Sequence, residues 1–302
     1  MKTTQATEAT QAMKSTRVAA SRPRKKKTPG ALPTHVTLVL MCAAWLVPAL
    51  GLVVTSFRTT QDMSESGWWT FFTRPALTLD NYTEAFQSVD MGTSMLTSAM
   101  IAVPTTLMVV LLSAVAGYVF ARMRFRGRNV LFLLVVSLLV VPPQVTLAPM
   151  LRLLTSLGLS GTLPAVWIYQ VGLSIPFGVM VLRNAFAALP QELFEAARID
   201  GASETRTFFR IALPLSTPSL AAVATLQFLW AWNDLLSPLI FLGGNSELKP
   251  VTTEIAGLVQ ATGSGENLLV ASAVLAVVVP VLVFVFFQRF FVRGVLGGSV
   301  KG

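Results

Sequence analysis

The sequence predicts an all-α, polytopic membrane protein with six transmembrane helices, and three observations predict it. Of 302 residues, 53% are apolar and only 12% are charged, about half the roughly 25% charged content of an ordinary soluble domain. Mean hydropathy is +0.66, well above what a water-soluble core of this size requires. The apolar residues gather into six runs, and each run is long enough to cross about 30 Å of hydrocarbon at about 1.5 Å per residue. A soluble enzyme built on one large core does not account for these features.

Residues 1–34 are polar, and Arg22, Arg24, Lys25, Lys26 and Lys27 cluster near their end. Such a segment cannot bury a core and reads as a disordered basic tail. A lipid-binding or regulatory arm is the alternative, because anionic lipid attracts such a cluster. A cleavable signal peptide does not fit, since the following apolar run is too long for one. The expected membrane domain then fills 35–302, with spans at about 36–57, 95–121, 130–151, 163–182, 220–242 and 268–287. Pro142-Pro143 interrupts the third run, and Pro176, Pro238 and Pro280 lie inside the fourth, fifth and sixth. Proline is tolerated in a span where neighbouring helices or water satisfy the freed carbonyl. Several proline-broken spans therefore suggest a bundle around a cavity.

The cations orient the chain. Of 23 Lys and Arg, eight lie in the tail, four follow the second run (Arg122, Arg124, Arg126, Arg128), four fall within 183–210 and three follow the sixth run. With both termini inside, only Arg58, Arg74, Arg152 and Lys249 are left outside. The positive-inside bias thus favours an N-in/C-in topology. It also explains the net charge of +9 without nucleic acid as a partner. Two outer segments follow. Residues 58–94 carry Trp68, Trp69, Phe71 and Phe72, read as interfacial aromatics or a partner contact. Residues 243–267 are expected to be an exposed loop near a cavity mouth.

Catalytic signatures are missing. There is no G-x-x-x-x-G-K-[ST], G-x-S-x-G or H-E-x-x-H, so neither nucleotide binding through a Walker loop nor these hydrolytic motifs can be assigned. A single histidine, His35, and a single cysteine, Cys42, exclude a His/Cys metal cluster and an intrachain disulfide. Both read as packing residues. The chain is expected to be no enzyme and to bind no metal or cofactor of its own.

The informative stretch is 183–215. Pro190 suits the start of a helix, and Glu192, Leu193, Phe194, Glu195, Ala196, Ala197 and Arg198 can continue it. Gly201 supplies a break with positive φ, a second short helix can run through 203–210, and Pro214 restricts the chain before the fifth run. Leu193, Phe194, Ala197 and Phe208 form an apolar face. That face suits either a groove in a partner protein or the packing of the hairpin on itself.

Glu195-Ala196-Ala197, three residues, Gly201, nine residues, then Ile211-x-Leu213-Pro214 resembles the E-A-A-x3-G-x9-I-x-L-P loop of ABC importer permeases. Leu77-Thr78-Leu79-Asp80-Asn81-Tyr82 resembles a segment ahead of the second span in carbohydrate-importer permeases. Gly117-Tyr118-Val119-Phe120-Ala121-Arg122 with Phe125-x-Gly127 is similar to their A-Y-A-x-A-R-x-x-F-x-G pattern, with Gly117 and Val119 replacing alanines. Trp232-Asn233-Asp234-Leu235-Leu236-x-Pro238-Leu239 is similar to their W-N-[DE]-F-x-x-P-L, with Leu235 in place of Phe. The segment 288–294 and the terminal 297–302 resemble that family's terminus. Over about 36–302 the chain is similar to the maltose-permease G-type subunits of carbohydrate ABC importers.

That resemblance implies a type I importer permease fold in a bacterial or archaeal cytoplasmic membrane. It implies, as partners, a second homologous permease in a heterodimer, two ATP-binding cassette subunits that hold ATP and Mg, and an extracytoplasmic solute-binding protein. Glu195, Ala196, Ala197, Gly201, Ile211, Leu213 and Pro214 would form the coupling loop that docks into the ATPase. The cargo would be an oligosaccharide or α-glucoside of the maltose or trehalose type. Importers of sn-glycerol-3-phosphate share much of the pattern, but no cation within a span favours a phosphate. A self-sufficient secondary transporter remains as the reading from another class, and it leaves 190–214 without a purpose. Asp234 is the one carboxylate within a predicted span, and an intramembrane acid defaults to a functional role. With Trp232 and Asn233 it is the candidate substrate pathway. The alternative is that Asn233 and Asp234 tie the fifth span to its neighbours.

Overall fold

A computed structural model describes residues 31–245, 247–260 and 265–297, so most of the expected basic tail lies outside the described residues. Among the described residues there are helices and no strands. Contacts divide the chain between Leu50 and Gly51. The first unit contains most of α1 (Ala31–Ser56), an apolar helix with Pro48 inside it.

The second unit opens with a folded segment. Helix α2 (Thr60–Glu65), a 3-10 turn at Trp68–Phe72 and α3 (Asp80–Ser88) follow one another. Buried Arg58 organises them. Its guanidinium donates to the carbonyls of Asp62 (2.6 Å) and Ser66 (2.9 Å) and to Ser66 Oγ (2.6 Å). Asn81 Nδ2 donates to the carbonyls of Ser56 (2.9 Å) and Arg58 (2.8 Å). Trp68 lies against Gly51, where a Cβ would come within 2.9 Å of the indole nitrogen. Trp69 and Phe72 are exposed.

The bundle is built on α4 (Met91–Arg122) and α7 (Leu163–Ala187), which lie side by side. Two glycines permit the close approach: a Cβ on Gly117 would meet the Arg183 amide nitrogen at 2.9 Å, and one on Gly178 would overlap Ser113. Helix α11 (Thr217–Asn233) packs on α4 and on α14 (Glu266–Gly297). Among the described residues, four helices are individually long and apolar enough to cross a membrane, and two bent pairs raise the number to six if each pair is one passage.

Of the two bent pairs, the second is Glu204–Leu215 with Thr217–Asn233, bent by 75°. The first pair, and the far end of the fifth run, depart from the uninterrupted runs expected there. Helix α5 (Arg128–Ser137) and the 3-10 turn Leu138–Val140 end at Pro142-Pro143, and α6 (Pro143–Ser156) leaves at 100° to them. Proline drives the residue before it out of the helical region, and Val141 is extended with ψ 118°. In the fifth run, α11 stops at Asn233, Asp234 is extended with ψ 122°, and α12 (Leu236–Phe241) begins anew. Asp234 therefore sits at a break between helices, not inside a continuous helix over 220–242. The expected outer loop 243–267 also contains a helix, α13 (Val251–Gln260), anchored by the Val251 amide donating to Ser98 Oγ at 2.9 Å.

Candidate functional site

Two places carry the sequence-predicted residues. The first is the hairpin after α7. Pro190 precedes α8 (Gln191–Ile199), and Gly201 ends it with φ 72°. There the Ala202 amide donates to the Ala197 carbonyl at 2.9 Å and the Gly201 amide to that of Arg198 at 3.1 Å. This left-handed helix end is one that glycine adopts without steric cost. Ser203 then caps α9 (Glu204–Thr207), accepting from the Arg206 amide at 3.3 Å. A π-helical turn, Phe208–Ala212, and the short α10 (Leu213–Leu215) lead into α11.

The hairpin is fastened to the end of α4. Phe194 and Phe208 are buried in one cluster with Tyr118, Leu182 and Phe186. The Arg122 guanidinium lies 3.9 Å over the Phe194 ring and donates to the carbonyls of Phe186 and Leu189, each at 2.6 Å. Tyr118 Oη donates to Glu204 Oε2 at 2.9 Å, and Arg198 pairs with Glu204 Oε1 at 3.1 Å. The apolar face expected at Phe194, Ala197 and Phe208 is thus covered by the chain itself; only Leu193 of that set is exposed. What remains open is the opposite face: Glu192, Glu195, Ala196 and Ile199, the last 87% exposed. Glu195 accepts from Gln191 Nε2 of its own helix at 2.7 Å. Ile211 and Leu213 are half-buried, and Pro214 is exposed.

The second place is a cavity of about 600 Å³ between α6, α7 and the α11–α12 break. Asn233 and Asp234 reach it, but Trp232 does not. Trp232 is 3% exposed, stacks on Phe228 and donates from Nε1 to the Ala276 carbonyl of α14 at 3.1 Å. Its place in the wall is taken by Trp230, which is 50% exposed and packs against Phe177 at 5.0 Å between ring centroids. Asn233 Nδ2 donates to the Leu229 carbonyl at 2.7 Å. Asp234 acts as a cap for α12: Oδ1 accepts from the amides of Leu236 (3.0 Å) and Ser237 (3.3 Å). Its Oδ2 accepts from Gln170 Nε2 at 2.9 Å and from the Ser237 hydroxyl. Of these bonds, the one from Gln170 links the α11–α12 break to α7.

Sequence reasoning passed over Gln144, Gln170, Phe177 and Gln227, all in the cavity wall. The signal was present. Gln170 and Gln227 are amides inside apolar runs, and polar groups in a span face the bundle interior or a water-filled cavity. Attention to carboxylates alone left them out.

Residues 110–297 match the family model described as "Binding-protein-dependent transport system inner membrane component". The chain belongs to this family. The "Osmoprotective compounds uptake permease protein GgtD" of Synechocystis sp. is 45% identical over 274 residues, spanning 89% of this chain and 92% of the relative. The "Alpha-glucoside transport system permease protein AglG" of Rhizobium meliloti is 42% identical, spanning 83% and 67%. In fold, the chain is similar to a crystal structure of a bacterial ABC transporter involved in alginate import. The TM-score is 0.76 with 18% identity, covering 86% of this chain and 95% of that one. This inner membrane component is accordingly an ABC transporter permease, a multi-pass membrane subunit and not itself an enzyme. Both the hairpin and the cavity fall within the matched residues.

Proposed function

We propose that this permease is one transmembrane half of an ATP-driven, binding-protein-dependent sugar importer, and that its cargo is a neutral oligosaccharide or α-glucoside. The relatives support the sugar class: besides the α-glucoside permease, an "Arabinooligosaccharides transport system permease protein AraQ" of Halalkalibacterium halodurans is 36% identical over 92% of this chain. The other half is a second, homologous permease; two ATPase subunits bind ATP and Mg, and an extracytoplasmic protein delivers the solute. Both termini are cytoplasmic, as the cation count favours, which puts the 183–215 hairpin on the ATPase side.

Coupling runs through that hairpin. The observation that carries this reading is its two-sidedness. One face, Phe194, Ala197 and Phe208, is locked onto α4 and α7, while Glu192, Glu195, Ala196 and Ile199 face outward. A helix held this way passes a push on its outer face into the bundle as a rigid body. Glu195, Ala196 and Gly201 form or abut the contact, and Ile211, Leu213 and Pro214 carry the motion into α11.

The experiment is reconstitution of the complete importer with Glu195→Arg or Gly201→Asp. Both variants should insert normally and lose uptake together with binding-protein-stimulated ATP hydrolysis. Undiminished uptake by both rejects the coupling role. Copurification of an ATPase with the wild-type chain separates this reading from a self-sufficient transporter.

A further inference from the structure

A second cavity, of about 570 Å³, lies where the end of α4 meets the start of α5 and the hairpin helix α8. The chain turns back there between Met123 and Arg128. Gly127 makes the turn with φ 79°, a conformation that costs glycine little, and α5 starts directly after it. The turn draws together arginines that the sequence strings along one segment. Arg122, Arg124 and Arg128 line the cavity with Arg198 of α8, against two carboxylates, Glu195 and Glu204.

These charges are held in place more than they are cancelled. Arg122 donates to the carbonyls of Phe186 and Leu189, and Arg128 donates to that of Met123 at 3.1 Å. Carbonyls are neutral acceptors, so these bonds aim the guanidiniums without neutralising them. Arg198 has Glu204 at 3.1 Å. The Arg124 side chain is exposed and has no ion pair or hydrogen bond among the described residues. The positive-inside bias accounts for the presence of such arginines, but not for their convergence on one cavity. A guanidinium is a planar fork that matches the oxygens of a phosphate, so the chemistry this wall fits is a phosphate-type anion.

The surroundings indicate where that phosphate comes from. Arg124 and Arg128 also line an adjoining, shallower hollow with Phe125 and Val130. From Val130 onward α5 presents an open apolar flank, with Val130, Leu131, Leu133 and Leu134 between 48% and 67% exposed. A soluble phosphate gains nothing from that flank. An amphiphile places its phosphate among the arginines and its acyl chains along α5, at the level where a span begins. Basic pockets at the cytoplasmic ends of spans attract anionic headgroups in this way.

We propose that this cavity binds the headgroup of an anionic phospholipid, with the phosphate held by Arg124 and Arg128 and the acyl chains lying on α5. The cavity wall includes Gln191, Phe194 and Arg198 of α8, so a seated headgroup bridges the α4–α5 turn and the hairpin. The bridge stiffens the hairpin against the bundle, and anionic lipid thereby raises transport per ATP. This consequence, unlike the binding itself, rests on the coupling reading above.

The test titrates fluorescent phosphatidylglycerol into the complete importer, delipidated in detergent, with phosphatidylethanolamine and inorganic phosphate as comparison ligands. Wild type and Arg126→Gln should bind phosphatidylglycerol alike, because Arg126 carries the same charge on the same turn outside the cavity wall. Arg124→Gln with Arg128→Gln should bind about thirtyfold more weakly, and Arg124→Lys with Arg128→Lys should keep most of the affinity. In phosphatidylethanolamine proteoliposomes, added phosphatidylglycerol should raise transport per ATP severalfold in wild type and not in the double Gln variant. Unchanged binding in the double Gln variant, or an equal loss in Arg126→Gln, overturns the site. So does displacement of the lipid by equimolar inorganic phosphate, which would make the ligand a soluble phosphate. Failure of the double Gln variant to copurify with the ATPase also overturns it, by assigning these arginines to the subunit contact. Lipid that binds normally without changing transport per ATP overturns the bridge, whereas the coupling role itself is decided separately by Glu195→Arg.

Discussion

The 183–215 hairpin and the break at Asp234 each set carboxylates beside a helix end, and they use them in opposite ways. At the hairpin, Glu204 bonds to Tyr118 and Arg198, while exposed Glu195 accepts from Gln191 of its own helix. At the break, Asp234 is held on both oxygens by Gln170, Ser237 and the start of α12. Acidic residues in the two regions therefore differ in what they leave available. A carboxylate with its bonds satisfied inside the chain acts on geometry, and one left open is available to a partner.

The largest effect is expected from reversing the charge at Glu195. Because this residue is exposed and its bond to Gln191 lies within α8, Glu195→Arg should leave the thermal stability of the purified complex within about 0.5 kcal/mol, as for ordinary surface changes. Uptake should nevertheless fall to background. Equal losses in stability and uptake would assign Glu195 an internal role and erase the contrast with Glu204.

Asp234→Leu should do the reverse. It leaves the Gln170 amide and the Ser237 hydroxyl facing an apolar side chain and removes the cap of α12. A loss of about 2–4 kcal/mol follows from unpaired buried donors and a missing cap, read as a lower melting temperature and lower membrane abundance. Asp234→Asn keeps an acceptor for the Leu236 and Ser237 amides. It should cost about 1 kcal/mol, with the Gln170 amide rotating so that its oxygen meets the new NH₂. If Asp234→Leu assembles as wild type does, the carboxylate is not the tie that the hydrogen bonds describe.

A smaller effect is expected from Tyr118→Phe. It removes one bond to Glu204 and leaves the ring packed between Phe186, edge-on, and Phe208, tilted. About 1 kcal/mol of local stability is lost, enough to loosen the hairpin by roughly fivefold in its opening equilibrium. Hydrogen exchange over α8 should rise while exchange in α4 does not. A double-mutant cycle with Glu204→Gln isolates the pair.

Much of this architecture was legible in the residues. The apolar runs give a multi-span membrane chain from composition and pattern, and the Glu195–Pro214 spacing points to the family through its resemblance to a known loop. Pro142-Pro143 marks a break, because two successive residues lack amide protons and Val141 must be extended. The 100° angle across it depends on what the two helices pack against, which spacing does not encode. The fifth run conceals its break, since Asp234 ends α11 through long-range bonds to Gln170 and Thr252, and apolar residues flank it on both sides. The same limit applies at the hairpin. An apolar face at Phe194 and Phe208 is visible, but its cover, Tyr118 and Phe186, comes from helices remote in sequence.

The finest distinction concerns two indoles on α11. Trp230 and Trp232 are two positions apart, which is about 200° around a helix at 3.6 residues per turn. One must face away from the other, and only the neighbours decide which enters the cavity. α14 takes Trp232, through its bond to the Ala276 carbonyl, and Trp230 is left beside Phe177. Trp232→Phe should keep the stack on Phe228 and lose one hydrogen bond, a destabilisation of about 0.5–1.5 kcal/mol. It should leave transport per ATP and preference among sugars unchanged, whereas Trp230→Ala, which removes the indole that reaches the cavity, should alter them. Altered preference in Trp232→Phe, with Trp230→Ala silent, would exchange the roles of the two residues and place the pathway on the α14 side of α11.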